Sequence, residues 1–455
     1  MKLNCILFLT LIISVQASAQ WSASELSVAR SLLTSSALDN KIYIAGGATY
    51  STNQTWDVVD IYDTETTEWT TDNLSQARFV LTSAATENKI YFAGGVTGIT
   101  TFAVSNVVDI YTPSFDTWES AELSQSRGAL TATTNGEIIL FAGGFSSFIS
   151  GTSVTRVDVY NEINNEWTTA ELTVPRGYFT SATADGKAYF AGGLINWSGE
   201  VTNRIDIYNY STAEWSIDSL SVARSGLAVA FAGNKLVFAG GQLANGNATH
   251  VVDIYDISSG IWSTDTLSQA RGELTACTLN GKIFFAGGYS NYSELIMSDR
   301  IDIYDPMSGT WEIATLSQER SELTSAAINN TLLISGGGSH GSTLEFYNVD
   351  IYIDPNTGID DKKKLTHQDF NILIDKRNNI IEFSYFIENS GSVTFLIYDL
   401  SGLQLDYIHY ENKNAGKHIE RIDLTDYSFK CLNTSKVLIC TMKHNDHSLS
   451  KKVLF

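Results

Sequence analysis

Seven arginines stand at one fixed place in a repeated pattern, and two glutamates follow the last two of them at a distance of two residues. Arg30, Arg78, Arg127, Arg176, Arg224, Arg271 and Arg320 each lie nine residues after a tryptophan and sixteen before the first glycine of a pair. A guanidinium is a permanent cation with a planar fork of donors, suited to a carboxylate or a sulfate. Two residues on, the type changes from copy to copy: Leu32, Val80, Ala129, Tyr178, Gly226, Glu273, Glu322. The glutamates come from consecutive copies. Paired carboxylates can do acid/base work, hold a cation or neutralise Arg271 and Arg320, and neutralisation is the expectation here.

The elements that position these residues can be read from the copy between Trp69 and Tyr111. After Trp69 come Leu74 and Arg78, then a strand signal at 81–84 and a second, Ile90-Tyr91-Phe92-Ala93. Gly94-Gly95 follows, and Val108-Asp109-Ile110-Tyr111 closes the unit. The interval from the first glycine to the aspartate of Asp-Ile/Val-Tyr varies over 13 to 15 residues, and it alone varies. Each unit therefore holds four short strands: A after the arginine, B before the glycines, C with the tyrosine and D with the tryptophan. Turn pairs such as Asp39-Asn40 and Asn280-Gly281 join A to B, because these residues accept positive φ. Four antiparallel strands repeated radially make a propeller blade.

The Arg, Gly-Gly, Asp-Ile-Tyr and Trp positions resemble the kelch repeat, from Trp21 to about Asp354. The expected fold is all-β: a seven-bladed kelch propeller over 20–354, then a small β-sandwich. The last unit lacks a tryptophan after Tyr352, and Trp21 lacks strands before it. The strand of Trp21 is therefore expected to complete blade 7 beside Tyr352, which leaves no open end.

Residues 1–19 read as a signal peptide: Lys2, an apolar run from Ile6 to Val15, then Ala17-Ser18-Ala19. The expected location is secreted or cell-surface, after cleavage following Ala19. The net charge is −21, and residues 20–352 carry 15 Lys+Arg against 36 Asp+Glu, which argues against a nucleic-acid partner. Cys431 and Cys440 could close a short loop, and Cys277 reads as a buried small hydrophobe. Residues 355–366 read as a linker containing Lys362-Lys363-Lys364.

From about residue 367 seven short strand signals suggest the sandwich. The pieces Phe395-Leu396-Ile397-Tyr398-Asp399-Leu400-Ser401-Gly402, Ala415-Gly416-Lys417-His418 and Lys451-Lys452-Val453 are similar to the C-terminal sorting domain of the bacterial type IX secretion system. That similarity implies a bacterial host and export machinery as a partner. It departs from the pattern in two places: Ser435-Lys436-Val437 replaces the usual Gly-X-Tyr, and the proline-rich start is missing.

In an up-down meander the D–A and B–C loops share one face. The arginines start strand A, so the ring and the length-variable loops are expected on that same face. Recognition commonly sits on such loops. They carry Tyr50, Trp56, Phe102, Phe145, Phe148, Trp197, Tyr289, Tyr292, Phe346 and Tyr347. The first expectation for the arginines is a repeat requirement, such as bonding a loop carbonyl or a neighbouring acid. The second is a ligand site made by Arg30, Arg78, Arg127, Arg176, Arg224, Tyr178, Glu273, Glu322, Trp56 and Trp197, in which the arginines draw a carboxylate or sulfate unless Glu273 and Glu322 already neutralise them. In kelch domains that bind acidic peptides, arginines at this strand position contact the ligand, and the resemblance carries that reading over.

Signals of catalysis are thin. His250 and His340 fall in non-adjacent blades, which does not fit a copper site like that of the galactose oxidases. Gly336-Gly337-Gly338 lacks the lysine of a phosphate loop, and no EF-hand spacing occurs. No catalytic residue, metal or cofactor is assigned. The expected function is an exported binding protein for a glycan or protein ligand, with oligomeric state open. The alternative resembles the secreted kelch mutarotases of sialic acid, with an arginine on the carboxylate and Glu273 or Glu322 as acid/base.

Overall fold

The structure is a computed structural model that describes residues 20–291, 296–339, 344–354, 370–375, 380–387, 390–398, 404–423, 437–444 and 447–454. The expected signal peptide, the linker, Tyr292, His340 and Cys431 lie outside the described residues. The chain divides into two compact units, Met1–Asn356 and Thr357–Phe455.

The first unit contains seven four-stranded antiparallel sheets. Blade 1 runs Thr34–Leu38, Lys41–Ala45, Val58–Asp63 and Trp69–Asn73, in the order A-B-C-D. Asp39 and Asn40 turn A into B with φ of 50° and 65°. Strand B is an unbroken apolar run because neighbouring blades cover both of its faces; Ile42, Tyr43, Ile44 and Ala45 are all buried. Strand D lies at the rim, and most of its residues are exposed. Blade 7 takes Thr324–Ile328, Thr331–Ser335 and Asn348–Ile353 from the end of the unit and Gln20–Glu25 from its beginning, with Trp21 opposite Tyr352.

Two repeated contacts fasten blade to blade. In all seven blades the strand-C tyrosine and strand-D tryptophan rings lie 4.7–5.1 Å apart. They cap clusters shared by neighbours: Tyr111 and Trp118 of blade 2 pack with Tyr43, Val59 and Ile61 of blade 1. Such pairs add about 0.5–1.5 kcal/mol beyond their buried area. The second contact is a backbone hydrogen bond. The second glycine of each pair donates to the arginine carbonyl of the next blade, from Gly47 to Arg78 (2.9 Å) around to Gly337 to Arg30 (3.0 Å). The first glycine makes that approach possible: Gly46 has φ of +66°, and a Cβ there would stand 2.5 Å from the Arg78 oxygen.

The second unit holds a three-stranded sheet, Phe370–Asp375, Ile380–Ile387 and Gly416–Asp423, and a four-stranded one, Gly391–Tyr398, Gln404–Lys413, Val437–His444 and His447–Leu454. Phe383 of the first stacks on Phe395 of the second at 4.5 Å, and both are fully buried.

Candidate functional site

All seven repeated arginines have 0 % exposure. Each pairs with the aspartate of the Asp-Ile/Val-Tyr triplet in the blade it opens: Arg30–Asp60, Arg78–Asp109, Arg127–Asp158, Arg176–Asp206, Arg224–Asp253, Arg271–Asp302 and Arg320–Asp350. Five of these pairs are 2.6–2.8 Å long. The guanidinium also donates to carbonyls of its own blade, as Arg320 does to Gly336 (2.8 Å) and Ile334 (3.0 Å). The other aspartate oxygen accepts the backbone N–H three residues before the arginine, at Ser27, Ser75, Ser124, Thr173, Ser221, Ser268 and Ser317. One carboxylate thus clamps the loop that enters each blade. Burial lowers the pKa of every one of these arginines against the pull of its aspartate, that of Arg271 to about 10.

Two expectations are corrected by this arrangement. Arg30, Arg78, Arg127, Arg176 and Arg224 do not present cations at the face, because their charges are buried and already answered. Glu273 and Glu322 are not the neutralising partners of Arg271 and Arg320, which pair with Asp302 and Asp350. The first expectation, a repeat requirement met by a neighbouring acid, describes the arrangement found. The missed signal was seven aspartates 29–31 residues after seven arginines, at equal copy number and opposite charge.

The varied position two residues on has a different character. Leu32, Val80, Ala129, Tyr178, Gly226, Glu273 and Glu322 all have φ of 48–57°. Positive φ is uncommon for a residue with a side chain and strained for a β-branched one such as Val80. The conformation is held by a ring of backbone bonds between blades. Leu32 donates to Glu322, Val80 to Leu32, Ala129 to Val80, Tyr178 to Ala129, Gly226 to Tyr178 and Glu273 to Gly226, at 2.8–3.1 Å. These seven residues, with the leucine or phenylalanine after each, line a cavity of about 270 Å³ on the propeller axis.

The lining is uneven. Val80 and Ala129 belong to an apolar cluster with Ala48, Phe79, Val96 and Phe145, against which Leu32, Tyr50, Phe148 and Tyr178 pack. Glu273 and Glu322 occupy the other arc, and no lining residue is basic. The Glu273 Cγ sits 3.3 Å from the point a Cβ on Gly226 would take, so its stem leans along the ring. Tyr50 reaches toward this arc. Burial, then the charges of Glu322, Glu273 and Glu345, raise its phenol pKa. Glu345 accepts the Tyr50 backbone N–H at 2.7 Å.

The loops do share the face. Backbone bridges join each D–A loop to the B–C loop of its own blade, for example Ser31 to Ala48 and Gly177 to Leu194. Among the loop aromatics, Phe145 and Tyr289 are fully buried and Tyr50, Phe148 and Phe346 are half-buried. Trp56 is half-buried too, and its indole donates to the Thr49 hydroxyl at 2.8 Å. Phe102 and Tyr347 are exposed. Trp197 is 42 % exposed, stacks on Phe145 at 4.4 Å and donates to the Phe148 carbonyl at 2.7 Å. Tyr178 lies 6.1 Å from it, centroid to centroid, so this aromatic group adjoins the cavity rim. Cys277 is partly buried in blade 6, and burial pushes its thiol up to about 12. Among the described residues no three His, Cys, Asp or Glu side chains are grouped to hold a metal ion.

A family model described as Kelch motif matches residues 29–71 and 270–315, which are blades 1 and 6. The other five blades keep the same Arg, Gly-Gly, Asp and Trp register, so the first unit is a kelch-repeat β-propeller. The solved structure titled "Structure of YjhT" is similar with a TM-score of 0.51 and 15 % identity, over 64 % of this chain and 99 % of its own. At that identity the likeness speaks to the fold alone. No curated protein matches the chain.

Proposed function

We propose that the protein is an exported binding module that takes a glycan or a protein segment on the face carrying the D–A and B–C loops, centred on the axial cavity. The observation that carries this reading is the ring of seven positive-φ residues. Its backbone φ is alike in every blade, while its residues are of six types over seven blades and line a cavity. Strain retained at one rim position, with side chains that differ, is what a preorganised recognition site requires. The half-exposed Trp197 would add stacking area beside it. Residues 1–19 as a signal peptide and residues 367–455 as an export address make the location secreted or cell-surface in this reading.

The sialic acid mutarotase reading is less well supported. It needs an arginine to hold the substrate carboxylate, and every repeated arginine is buried in an ion pair.

A glycan and peptide array with the mature chain tests the proposal. The expected result is a set of hits abolished by Gly226→Leu, which would fill the cavity. Leucine is compatible with this backbone, since Leu32 holds the equivalent place with φ of 56°. Hits indifferent to that change would contradict the proposal.

A further inference from the structure

A second cavity opens on blade 6, and it shares no lining residue with the axial one. We propose that it binds a small organic monocarboxylate with an apolar body. Arg300 and Gln269 hold the carboxylate, and Ile313 and Met297 meet the body.

Blade 6 runs Thr275–Leu279, Lys282–Ala286, Arg300–Asp305 and Thr310–Thr315. The cavity has a volume of about 450 Å³. Its walls are Ser268 and Gln269 from the loop that enters the blade, the run from Met297 to Arg300 that leads into strand C, and Ile313 of strand D. Pockets for whole small ligands run to about 300–1,000 Å³, so this one admits an entire small molecule.

The scaffold of the cavity is a repeated device. The buried Ser298 hydroxyl accepts the Arg300 backbone N–H at 3.1 Å and donates to the Gln269 side-chain oxygen at 2.8 Å. Ser105 of blade 2 does the same, accepting from Val107 at 3.2 Å and donating to Gln76 at 2.6 Å. With its oxygen engaged by Ser298, the Gln269 amide keeps its two N–H donors for another partner. The clamp fixes the site from behind, because Arg271 donates to the Arg300 carbonyl at 2.6 Å.

What stands on that scaffold is particular to blade 6. Where blade 2 has Val107 opposite Glu122 and Ser120 opposite Asp109, blade 6 has Arg300 opposite Thr315 and Ile313 opposite Asp302. Blade 3 shows what an acid across the strands does: Arg156 lies opposite Glu171 and pairs with it at 3.3 Å. Thr315 offers no such answer. Among the described residues, the acid paired with Arg300 is Asp299, 3.9 Å from its Nε, and both side chains are about half exposed. So long and so solvated an ion pair is worth little. The two terminal nitrogens of Arg300 make no bond among the described residues. Their planar fork suits a carboxylate.

The apolar half is beside it. Ile313 is 57 % exposed and Met297 is buried. An isoleucine left in water at a cavity wall gives a ligand apolar surface to cover. The net charge of −21 slows the approach of every anion, and most of all of multiply charged ones. A single carboxylate on an apolar body is the class that meets both conditions.

The test uses the mature full chain with hexanoate, hexanamide and acetate as probes, read by NMR titration. Hexanamide removes the charge and acetate removes the body. Hexanoate is expected to bind at least about tenfold more tightly than either, and to lose about tenfold in Arg300→Gln, the scale of one charge-assisted contact. Ile313→Ser, which restores the residue type of blade 2, is expected to weaken hexanoate several-fold. Asp299→Asn removes the competing carboxylate and is expected to tighten it. The three changes are at exposed or half-exposed side chains and are expected to keep the thermal midpoint; the comparison of the three probes on wild type needs no variant at all. No saturable binding of hexanoate at millimolar concentration, equal affinity for hexanoate and hexanamide, or hexanoate indifferent to Arg300→Gln overturns the inference. A capped Leu-Glu dipeptide is the parallel arm. Its Arg300-dependent binding without hexanoate would assign the cavity to a protein partner and overturn the small ligand.

Discussion

Two positions separated by two residues behave as opposites in this propeller. The arginine recurs unchanged in seven blades, is fully buried and meets an aspartate and backbone carbonyls of its own blade. The residue two places on keeps one backbone conformation in all seven blades, yet its side chain runs from glycine to valine to glutamate and faces a cavity. Repetition of a side chain marks what each blade needs in order to join its neighbour. Repetition of backbone alone, with the side chain released, marks a position the fold holds in place and leaves open to specialise.

The strongest way to break this comparison is to open the ring on which both positions depend. Deleting Trp21–Ser27 removes all but the first residue of the fourth strand of blade 7, and with it the partners of residues 348–352. It also removes the Ser27 N–H held by Asp60. The whole unit is expected to lose its cooperative thermal transition at the wild-type midpoint. An unchanged midpoint would show that closure contributes nothing.

A single clamp comes next. Asp302→Ala leaves the buried Arg271 charge without its partner, and breaking such a pair by one side costs about 3–5 kcal/mol. Chemical denaturation would show that loss, and a change below about 1 kcal/mol would place the pair among surface ion pairs in energetic terms. The paired change Arg271→Met with Asp302→Leu is expected to recover part of the loss, because it removes the desolvation cost along with the attraction.

Alkali separates the scaffold from the rim more gently. Burial raises the phenols of Tyr111 and Tyr189 to about 12, while a tyrosine in an unfolded chain titrates near 10. Their neutral form is the one the fold favours. This contribution is therefore fully present below about pH 10 and is lost as the pH rises toward 12. Denaturation midpoints are expected to fall over that window, and a flat profile from pH 9 to 12 would contradict the assignment.

The scaffold was legible in the chain because its signals are periodic. Trp, Arg, Gly-Gly and Asp-Ile-Tyr recur in register, and the blade count, the strand order and the strand given by Trp21 follow from that register. The arginine's partner was within reach, since Asp60 and its six equivalents recur with the same count, but a charge on strand C does not announce which way it points. The positive-φ ring was not legible. Of its seven residues only Gly226 is a type that favours that conformation; Leu32, Val80 and Glu273 are forced into it by bonds from the neighbouring blade. Nor could sequence divide the loop aromatics, because Phe145 is buried and Trp197 half-exposed in the same stack.

The central claim is that the repeated side chain holds the fold while the varied one selects the partner. Blade 7 offers both within two residues, so the most direct measurement places Arg320→Lys beside Glu322→Gln. For each variant, the denaturation midpoint and the affinity for an array hit that Gly226→Leu abolishes are read under conditions where both are folded. The account predicts that Arg320→Lys lowers the midpoint and leaves affinity within about twofold of wild type. Glu322→Gln should keep the midpoint and weaken the hit several-fold, about 1 kcal/mol for one polar contact. The reverse pattern, or stability losses of equal size with affinity untouched in both, would contradict it.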